Sequence, residues 1–597
     1  MVKVTDYIIQ RLVDYGVKDV FMITGGGAMH LNDSVGRNTN INYICNHHEQ
    51  ASAIAAEGYA RTSGKLAAVI VTSGPGGTNT LTGVIGQWLD SVPVIYISGQ
   101  IKQETCISSY PGIPLRQLGD QEINIIDLVR PVTKFAATLT DPVNTEKLLQ
   151  EALFTATNGR PGPVWLDIPL DVQGAFVDEN DLLPFIPPIG YQKSGQCKSQ
   201  TLEIVELLKK SKKPVILAGH GIRIAGAENF FNELIPHLGI PVLSTFNGFD
   251  LIDSDNPLFM GRVGTVGNRS GNFIIQNCDL LLSLGSRNNI RQTGYNWNDY
   301  ARKAFKIIVD IDKAELEKPT IIPDMPIHMD AGVFLNELAE LCKDNALPDW
   351  SEWIYWCRQR IWKYPAVGSE QCQISEYINP YYFMKSLTES LPQNAVVIAG
   401  NGTACVTLFQ AGVVKYGQRY IWNSGCASMG YDLPAAIGAC FARRKQDVIC
   451  LAGDGSLQMN IQELQTVVHH QLPIKLFVLN NEGYVSIRQT QDSLFEGNYV
   501  GSDVSSGVSF PNLSRIAVAY GIPSFILDKQ NQNLPEQIEQ ILSAHGPVIC
   551  DVRLDPGCRF TPKASSERKP DGRIVSKPLE DMYPFLDPEE FKSNMLE

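Results

Sequence analysis

The run from Asp447 to Asn481, DVICLAGDGSLQMNIQELQTVVHHQLPIKLFVLNN, constrains this chain more than any other stretch. An apolar strand-like run ends at Asp454, a helical stretch follows, and a second apolar run ends at Asn480-Asn481. Asn460 with Glu463 forms a candidate capping box at the start of the helix. A right-handed crossover sets two such parallel strands side by side, with both turns at the carboxyl edge of the sheet. Neighbouring strands lie ~4.8 Å apart, so an Asp carboxylate and an Asn carbonyl there can share one hard cation. Magnesium takes oxygen ligands and commonly keeps phosphate in its shell. Gly453 and Gly455 let backbone amides approach a phosphate closely, and a helix start favours an anion. Two unrelated turns are the plainer alternative.

The rest of the 597 residues divide into similar units. Over residues 1–178 the runs VKDVFMIT, INYICNH, AAVIVTSG, PVIYISG and PVWLDIP read as buried parallel strands, with helical stretches between them. A Pro-rich break, LLPFIPPIGYQKSG, separates these from a second unit at 195–345, with PVILAG, PVLSTF, DLLLSLG and KIIVDID as strands. The Trp-rich segment DWSEWIYWCRQRIWKYP bridges to a third unit at 370–555, built on AVVIAG, DVICLAGDG, IKLFVLNN and PVICDV. Residues 556–597 show no clear periodicity and read as an arm that docks on the body or orders late. The expected fold is α/β, with three doubly wound parallel-sheet domains and a C-terminal tail.

A net charge of −13 argues against nucleic acid or an anionic membrane surface as partner, and no apolar run approaches the ~20 residues of a membrane span. Thirteen cysteines, an odd number without a CxxC pair, fit reduced thiols. The opening MVKVTDYIIQRLVDYGV reads as an amphipathic helix and not as a signal peptide. A cytoplasmic location is the expectation.

HHEQASAIAAEGYAR puts Glu49 directly after the strand INYICNH, at the carboxyl edge of the first sheet. A carboxyl desolvated there can share a proton with a ring nitrogen; a helix N-terminal acid of purely structural use is the plainer alternative. Met429, in GCASMGYDLPAAIGA, is an apolar residue with a core gap as its ordinary home.

On these residues the chain resembles the thiamine-diphosphate enzymes, and within them the acetolactate-synthase-like branch. That family's cofactor motif opens with GDG and closes with NN, as at Gly453-Asp454-Gly455 and Asn480-Asn481. The resemblance implies that Asp454, Asn481 and the Gly483 carbonyl bind Mg²⁺, with Gly402, Thr403, Ala404, Gly453, Gly455 and Ser456 around the diphosphate. It makes Glu49 the residue that hydrogen-bonds the aminopyrimidine, and Met429, beside Ala427, the wedge that bends the cofactor. It adds Gly26 to the cofactor contacts and Gln121 to the catalytic residues. Glu49 and Asp454 lie in different units; in this family subunits share the cofactor, which implies a homo-oligomer, at least a dimer and by expectation a tetramer.

The wording is close across nearly the whole chain: TSGPGGTNTLTGV, DSVPVIYISGQ, RPVTKF, GRPGPVWLDIPLDVQ and the tail SKPLEDMYPFLDPEEF. In GSRNNIRQTG, Arg287 and Arg291 match an Arg-rich turn that grips FAD, while two acidic positions have become Asn289 and Ile290. Asp310, Ile311 and Asp330 fall where the family contacts the flavin's ADP half. FAD thus stays open, since related enzymes bind FAD, ADP or nothing. Two aromatic positions have become Asp120 and Thr490, and the GGGAMHLND turn brings an extra Gly27 and His30 to the substrate pocket. Buried unpaired polar groups cost ~1–3 kcal/mol each, so the pocket expects a polar partner.

The resulting expectation is a carboligase, a transferase or lyase that decarboxylates pyruvate or a similar 2-keto acid. It passes the acyl carbanion to a carbonyl acceptor that is polar or bulky, such as a keto-sugar. Acetolactate synthase proper and a simple 2-keto acid decarboxylase, with His30 or His47 as proton donor, are the alternatives.

Overall fold

The structure, a computed structural model, describes residues 1–188, 198–369, 371–372, 376–528, 533–568 and 570–596. The expected unit starts at 195 and 370, and the end of the Pro-rich break, lie outside the described residues. Each of the three units is built on one six-stranded parallel sheet.

The first sheet runs, from edge to edge, through Asn42–Cys45, Asp19–Met22, Ala67–Val71, Val94–Gln100, Val164–Pro169 and Phe135–Thr138. The third runs through Arg419–Ile421, Val396–Ala399, Val448–Gly453, Ile474–Asn480, Val548–Arg553 and Ser524–Leu527. Numbered within each unit, both have the order 2-1-3-4-6-5, so the two share one topology. The middle sheet has the order 3-2-1-4-5-6, with Pro214–Ala218 and Leu280–Leu284 side by side at its centre. Each order reverses direction where the chain crosses from its second or third strand back past its first, and the crevice at the carboxyl ends of the strands flanking that point is where open α/β sheets bind ligands.

The first and third units pack through two helices, Glu49–Ser63 and Asp432–Ala442. At their crossing Ala55 and Ala435 are both buried, and the backbones come very close. A Cβ on Gly58 would lie 2.1 Å from the Ala435 carbonyl oxygen, and one on Gly438 would lie 1.8 Å from that of Ala55. Only glycine fits at this crossing.

The Trp-rich segment forms the helix Ser351–Lys363, with Trp353 and Cys357 turned into the middle unit's core. The arm after residue 556 forms two small antiparallel strand pairs, Lys563–Ala564 with Met582–Tyr583 and Ser566–Arg568 with Ile574–Ser576, then the helix Pro588–Ser593. It docks on the middle unit: Asn272 donates to the Leu579 carbonyl at 3.0 Å, and Glu580 accepts from Gln276 and Arg302 at 2.6 Å each. The twelve described cysteines are all free, and no described helix is long and apolar enough to cross a membrane.

The capping box expected at Asn460 and Glu463 does not form. Asn460 precedes a short 3-10 turn, Ile461–Glu463, without a side-chain cap. Glu463 is fully buried and accepts from Asn46 Nδ2 at 2.9 Å and from the His47 amide at 2.8 Å. Asn460 donates to the Gly430 carbonyl at 2.7 Å and to Gln50 at 3.2 Å. Buried polar groups take the strongest partners in reach, and here those are Asn46 and His47 of the first unit for Glu463 and the Gly430 carbonyl for Asn460.

Candidate active site

In the third unit the direction reverses between Val396–Ala399 and Val448–Gly453. After the first of these strands Gly402 takes φ +81°, a value that favours glycine, and the helix Thr403–Ala411 starts with its amides toward the crevice. Nothing lies within 4 Å of where a Gly402 Cβ would stand, so the turn opens onto free space. After the second strand, Asp454 starts a short helix, Asp454–Gln458. The Asp454 carboxylate accepts from the amides of Gly455 (2.7 Å), Gly483 (3.1 Å) and Asn481 (3.2 Å). Burial pushes its pKa up to about 6, against the pull of those amides.

Asn480 ends the adjacent strand, whose register pairs Gly453 with Leu479, and Asn481 follows it into the crevice. Asn481 Nδ2 donates to Thr403 Oγ1 at 3.0 Å, while Asn481 Oδ1 is buried without a hydrogen-bond partner. A buried, unpaired carbonyl oxygen beside a buried carboxylate is a donor set that fits a hard cation. The turn after it is clamped by Arg488, which donates to the carbonyls of Asn481 (2.9 Å) and Glu482 (3.1 Å). Gly483, at φ +141°, leaves room only for glycine, since its Cβ would lie 2.2 Å from the Ser502 carbonyl oxygen.

These groups line one cavity of about 790 Å³ with Met429, Ala427, Ser456 and, from the arm, Ser565 and Lys577. Ala427 has φ +54°, unusual for a residue with a side chain, and turns the loop that presents Met429. The Ser456 hydroxyl accepts from the Gly430 amide at 2.8 Å and donates to the buried Asp432 at 2.5 Å. Ala404 is fully buried, behind Thr403 in the helix. Of the residues that sequence reasoning missed, Arg488 and Asp432 bond directly to groups around this cavity.

A second group of predicted residues gathers at the carboxyl edge of the first sheet. Glu49 is the first residue of its helix and accepts from Asn79 Nδ2 at 3.0 Å. Gly26 and Gly27 form a 3-10 turn, with the Gly27 amide donating to Thr72 Oγ1 at 3.0 Å. Gln121, at φ +59°, packs its carbonyl against the Gly74 turn, and Asp120 beside it is exposed. His30 lies elsewhere, its ring against Gly174, where a Cβ would come within 2.9 Å of Nε2. Thr490 is exposed on the helix Val485–Phe495 and donates to the Ser486 carbonyl at 3.1 Å. The large cavity is lined one turn earlier, by Tyr484 to Ile487. Asp120 and Thr490 are thus exposed in this chain, so neither stands as a buried polar group awaiting a partner.

A third group lines a cavity of about 480 Å³ at the reversal point of the middle sheet. Gly221 and Gly285 touch there, and Arg287, Arg291, Asp310, Ile311 and Asp330 surround it. Arg291 faces both cavities and stacks over Phe246 at 4.7 Å, and Arg287 pairs with Asp90 at 3.7 Å. Burial pushes Asp310 up to about 6. Asp330 caps the helix Ala331–Asp344 through the amides of Gly332 and Val333.

Comparison with known proteins agrees with this geometry. Three family models match: the thiamine pyrophosphate enzyme N-terminal TPP binding domain at 2–122, the central domain at 202–338 and the C-terminal TPP binding domain at 400–552. Acetolactate synthase 3, chloroplastic, of Brassica napus is 32% identical over 562 residues, 92% of this chain and 83% of that protein. The acetolactate synthase large subunit of Pyropia yezoensis is 32% identical over 560 residues, 92% of this chain and 91% of that one. With three such domains in this order, the chain belongs to the thiamine pyrophosphate enzymes and is a thiamine-pyrophosphate-dependent enzyme of the acetolactate synthase kind.

Proposed function

We propose that the protein is a carboligase that decarboxylates a small 2-keto acid and joins the remaining acyl unit to a second 2-keto acid. The observation that carries this reading is the pairing of an unpartnered, buried Asn481 Oδ1 with Asp454 at the mouth of the Gly402 turn. Support comes also from relatives named acetolactate synthase that align over nine-tenths of the chain.

In this reading Asp454, Asn481 and the Gly483 carbonyl hold Mg²⁺, and the amides after Gly402 receive the diphosphate. Bound thiamine diphosphate supplies the electron sink for decarboxylation and carbon–carbon bond formation. Glu49 holds a proton against the aminopyrimidine ring, and Asn79 fixes the orientation of its carboxyl group. Met429 and Ala427, which line the cavity, would support the middle of the bound cofactor. The arm's Ser565 and Lys577 roof the cavity and keep water from the reacting carbons.

The large cavity is walled by the second unit, the third unit and the arm, whereas Glu49 sits on the first unit. Glu49 does not line that cavity, and the resemblance implies subunits that share the cofactor; in this reading Glu49 comes from a second copy of the chain, which makes the working unit at least a dimer. The smaller cavity, with its glycine contact, two arginines and Asp310, fits an adenine dinucleotide such as FAD, or its ADP half.

An acceptor more polar than a 2-keto acid is a second reading, motivated by Asp120 and Thr490 standing where the resemblance places aromatic residues. Product analysis separates the two. Pyruvate alone should give acetolactate, with one CO₂ released for two pyruvates consumed. Product formed only when a sugar ketone is added would favour the polar acceptor, and free aldehyde would show a plain decarboxylase. The visible absorption spectrum of the purified protein tests for flavin.

A further inference from the structure

Three charged side chains, Glu57, Arg61 and Asp90, are buried together where all three units meet. Arg61 Nη1 lies 3.2 Å from Glu57 and 3.5 Å from Asp90, and donates to the Trp422 carbonyl at 2.9 Å. From the middle unit, Asn247 Nδ2 donates to Asp90 Oδ1 at 3.3 Å, and Arg287 stands 3.7 Å from the same atom. The second oxygen, Asp90 Oδ2, accepts from two amides of the third unit, Ser424 at 3.0 Å and Gly425 at 3.3 Å. Glu57 accepts from the Tyr431 hydroxyl at 3.2 Å and from Asn423 Nδ2 at 3.4 Å. Asn423 Oδ1 in turn accepts from the amides of Cys426 (3.1 Å) and Ala427 (3.0 Å).

The loop Asn423–Met429 is thus moulded from outside. Its amides are satisfied by Asp90 and by its own Asn423, which Glu57 holds, and its shape is matched by two close approaches. A Cβ on Gly425 would lie 2.6 Å from Leu89 Cβ and 2.8 Å from Asp90 Oδ1. One on Gly86 would lie 2.2 Å from Asn423 Nδ2. At its far end this loop carries Ala427, in its left-handed conformation, and Met429, both facing the large cavity.

We propose that Asp90 is a positioning residue for the cofactor reaction: through Ser424 and Gly425 it holds the loop that presents Ala427 and Met429 to the middle of thiamine diphosphate. The inference rests on the large cavity being the cofactor site. It predicts a selective defect, because Gly402, Asp454 and Asn481, which face the diphosphate, hold their positions without Asp90. A cluster that merely glues the units together would weaken every ligand alike.

The test uses Asp90→Asn in the full-length chain, which keeps the side-chain shape and removes the charge. Calorimetric affinities are measured for Mg²⁺ with thiamine diphosphate, and separately for Mg²⁺ with inorganic pyrophosphate. The expected result is at least a tenfold rise in Kd for thiamine diphosphate, with pyrophosphate within threefold of the parent. Unchanged affinity for thiamine diphosphate overturns the proposal, and so does equal weakening of both ligands. Should Asp90→Asn fail to fold, Asn423→Ala, which releases the inner loop amides and leaves Arg61 paired with both carboxylates, is read by the same criteria. If the parent protein binds neither ligand, the cofactor-site reading itself fails and the inference falls with it.

Discussion

Asn481 and Thr403 meet across the crevice of the third sheet, with Nδ2 of the one donating to Oγ1 of the other at 3.0 Å. The bond fixes which way the Asn481 amide faces and leaves its buried oxygen without a protein partner. Groups that orient a metal ligand in this way are worth about 10- to 100-fold in metal affinity. Thr403→Val should raise the Mg²⁺ concentration needed for half-maximal cofactor binding by about that factor, and Thr403→Ser should restore most of it. A magnesium titration followed by calorimetry checks both.

Glu49 makes its one described side-chain contact with Asn79, so replacing it leaves the diphosphate cavity as it is. Glu49→Gln should keep affinity for thiamine diphosphate and Mg²⁺ within a few-fold while kcat falls by ~10²–10⁴. Steady-state assays with pyruvate, beside the same binding measurement, decide it; unaltered turnover removes Glu49 from its role.

Burial pushes Glu57 from 4.5 up to about 7, with Arg61 pulling it down and Asp90 pushing it further up. A carboxyl whose pKa is raised on folding adds stability fully below its unfolded pKa and loses that contribution as pH climbs through the folded value. The stability difference between the parent protein and Glu57→Gln should therefore fall by about 3 kcal/mol between pH 5 and pH 8. Denaturant unfolding at several pH values measures it, and a flat difference refutes it.

The helix crossing gives a steric prediction. Gly438→Ala sets a methyl group 1.8 Å from the Ala55 carbonyl oxygen, on a backbone that cannot move alone. The cost should be about 3 kcal/mol or more, seen as a lowered Tm. Gly36→Ala, where nothing stands within 4 Å, is the matched control and should leave Tm nearly unchanged.

The central strands were legible because burial on both faces writes them as unbroken apolar runs, as in Ala67–Val71 and Ile474–Asn480. Sequence reasoning passed over Phe135–Thr138, Met325–His328 and Ser524–Leu527, which lie at sheet edges where half-exposed residues blur the pattern. At the site, GDG and NN were readable since both turns belong to one strand–helix–strand unit. Arg488, Asp432 and Asp90 were not, because each acts on backbone groups or on a segment remote in sequence, which no side-chain pattern announces. The capping box failed for a related reason: Glu463 binds Asn46, more than four hundred positions earlier.

Roughly 370 residues separate Ser63 from Asp432, yet the helices that carry them share their tightest seam. During translation the earlier helix therefore leaves the ribosome long before the surface that shields its alanine face exists. Nascent chains in that interval expose a small-residue stripe that chaperones, or the same stripe on a neighbouring polysome, can engage. Yield on expression should thus depend on how fast synthesis runs through the middle unit.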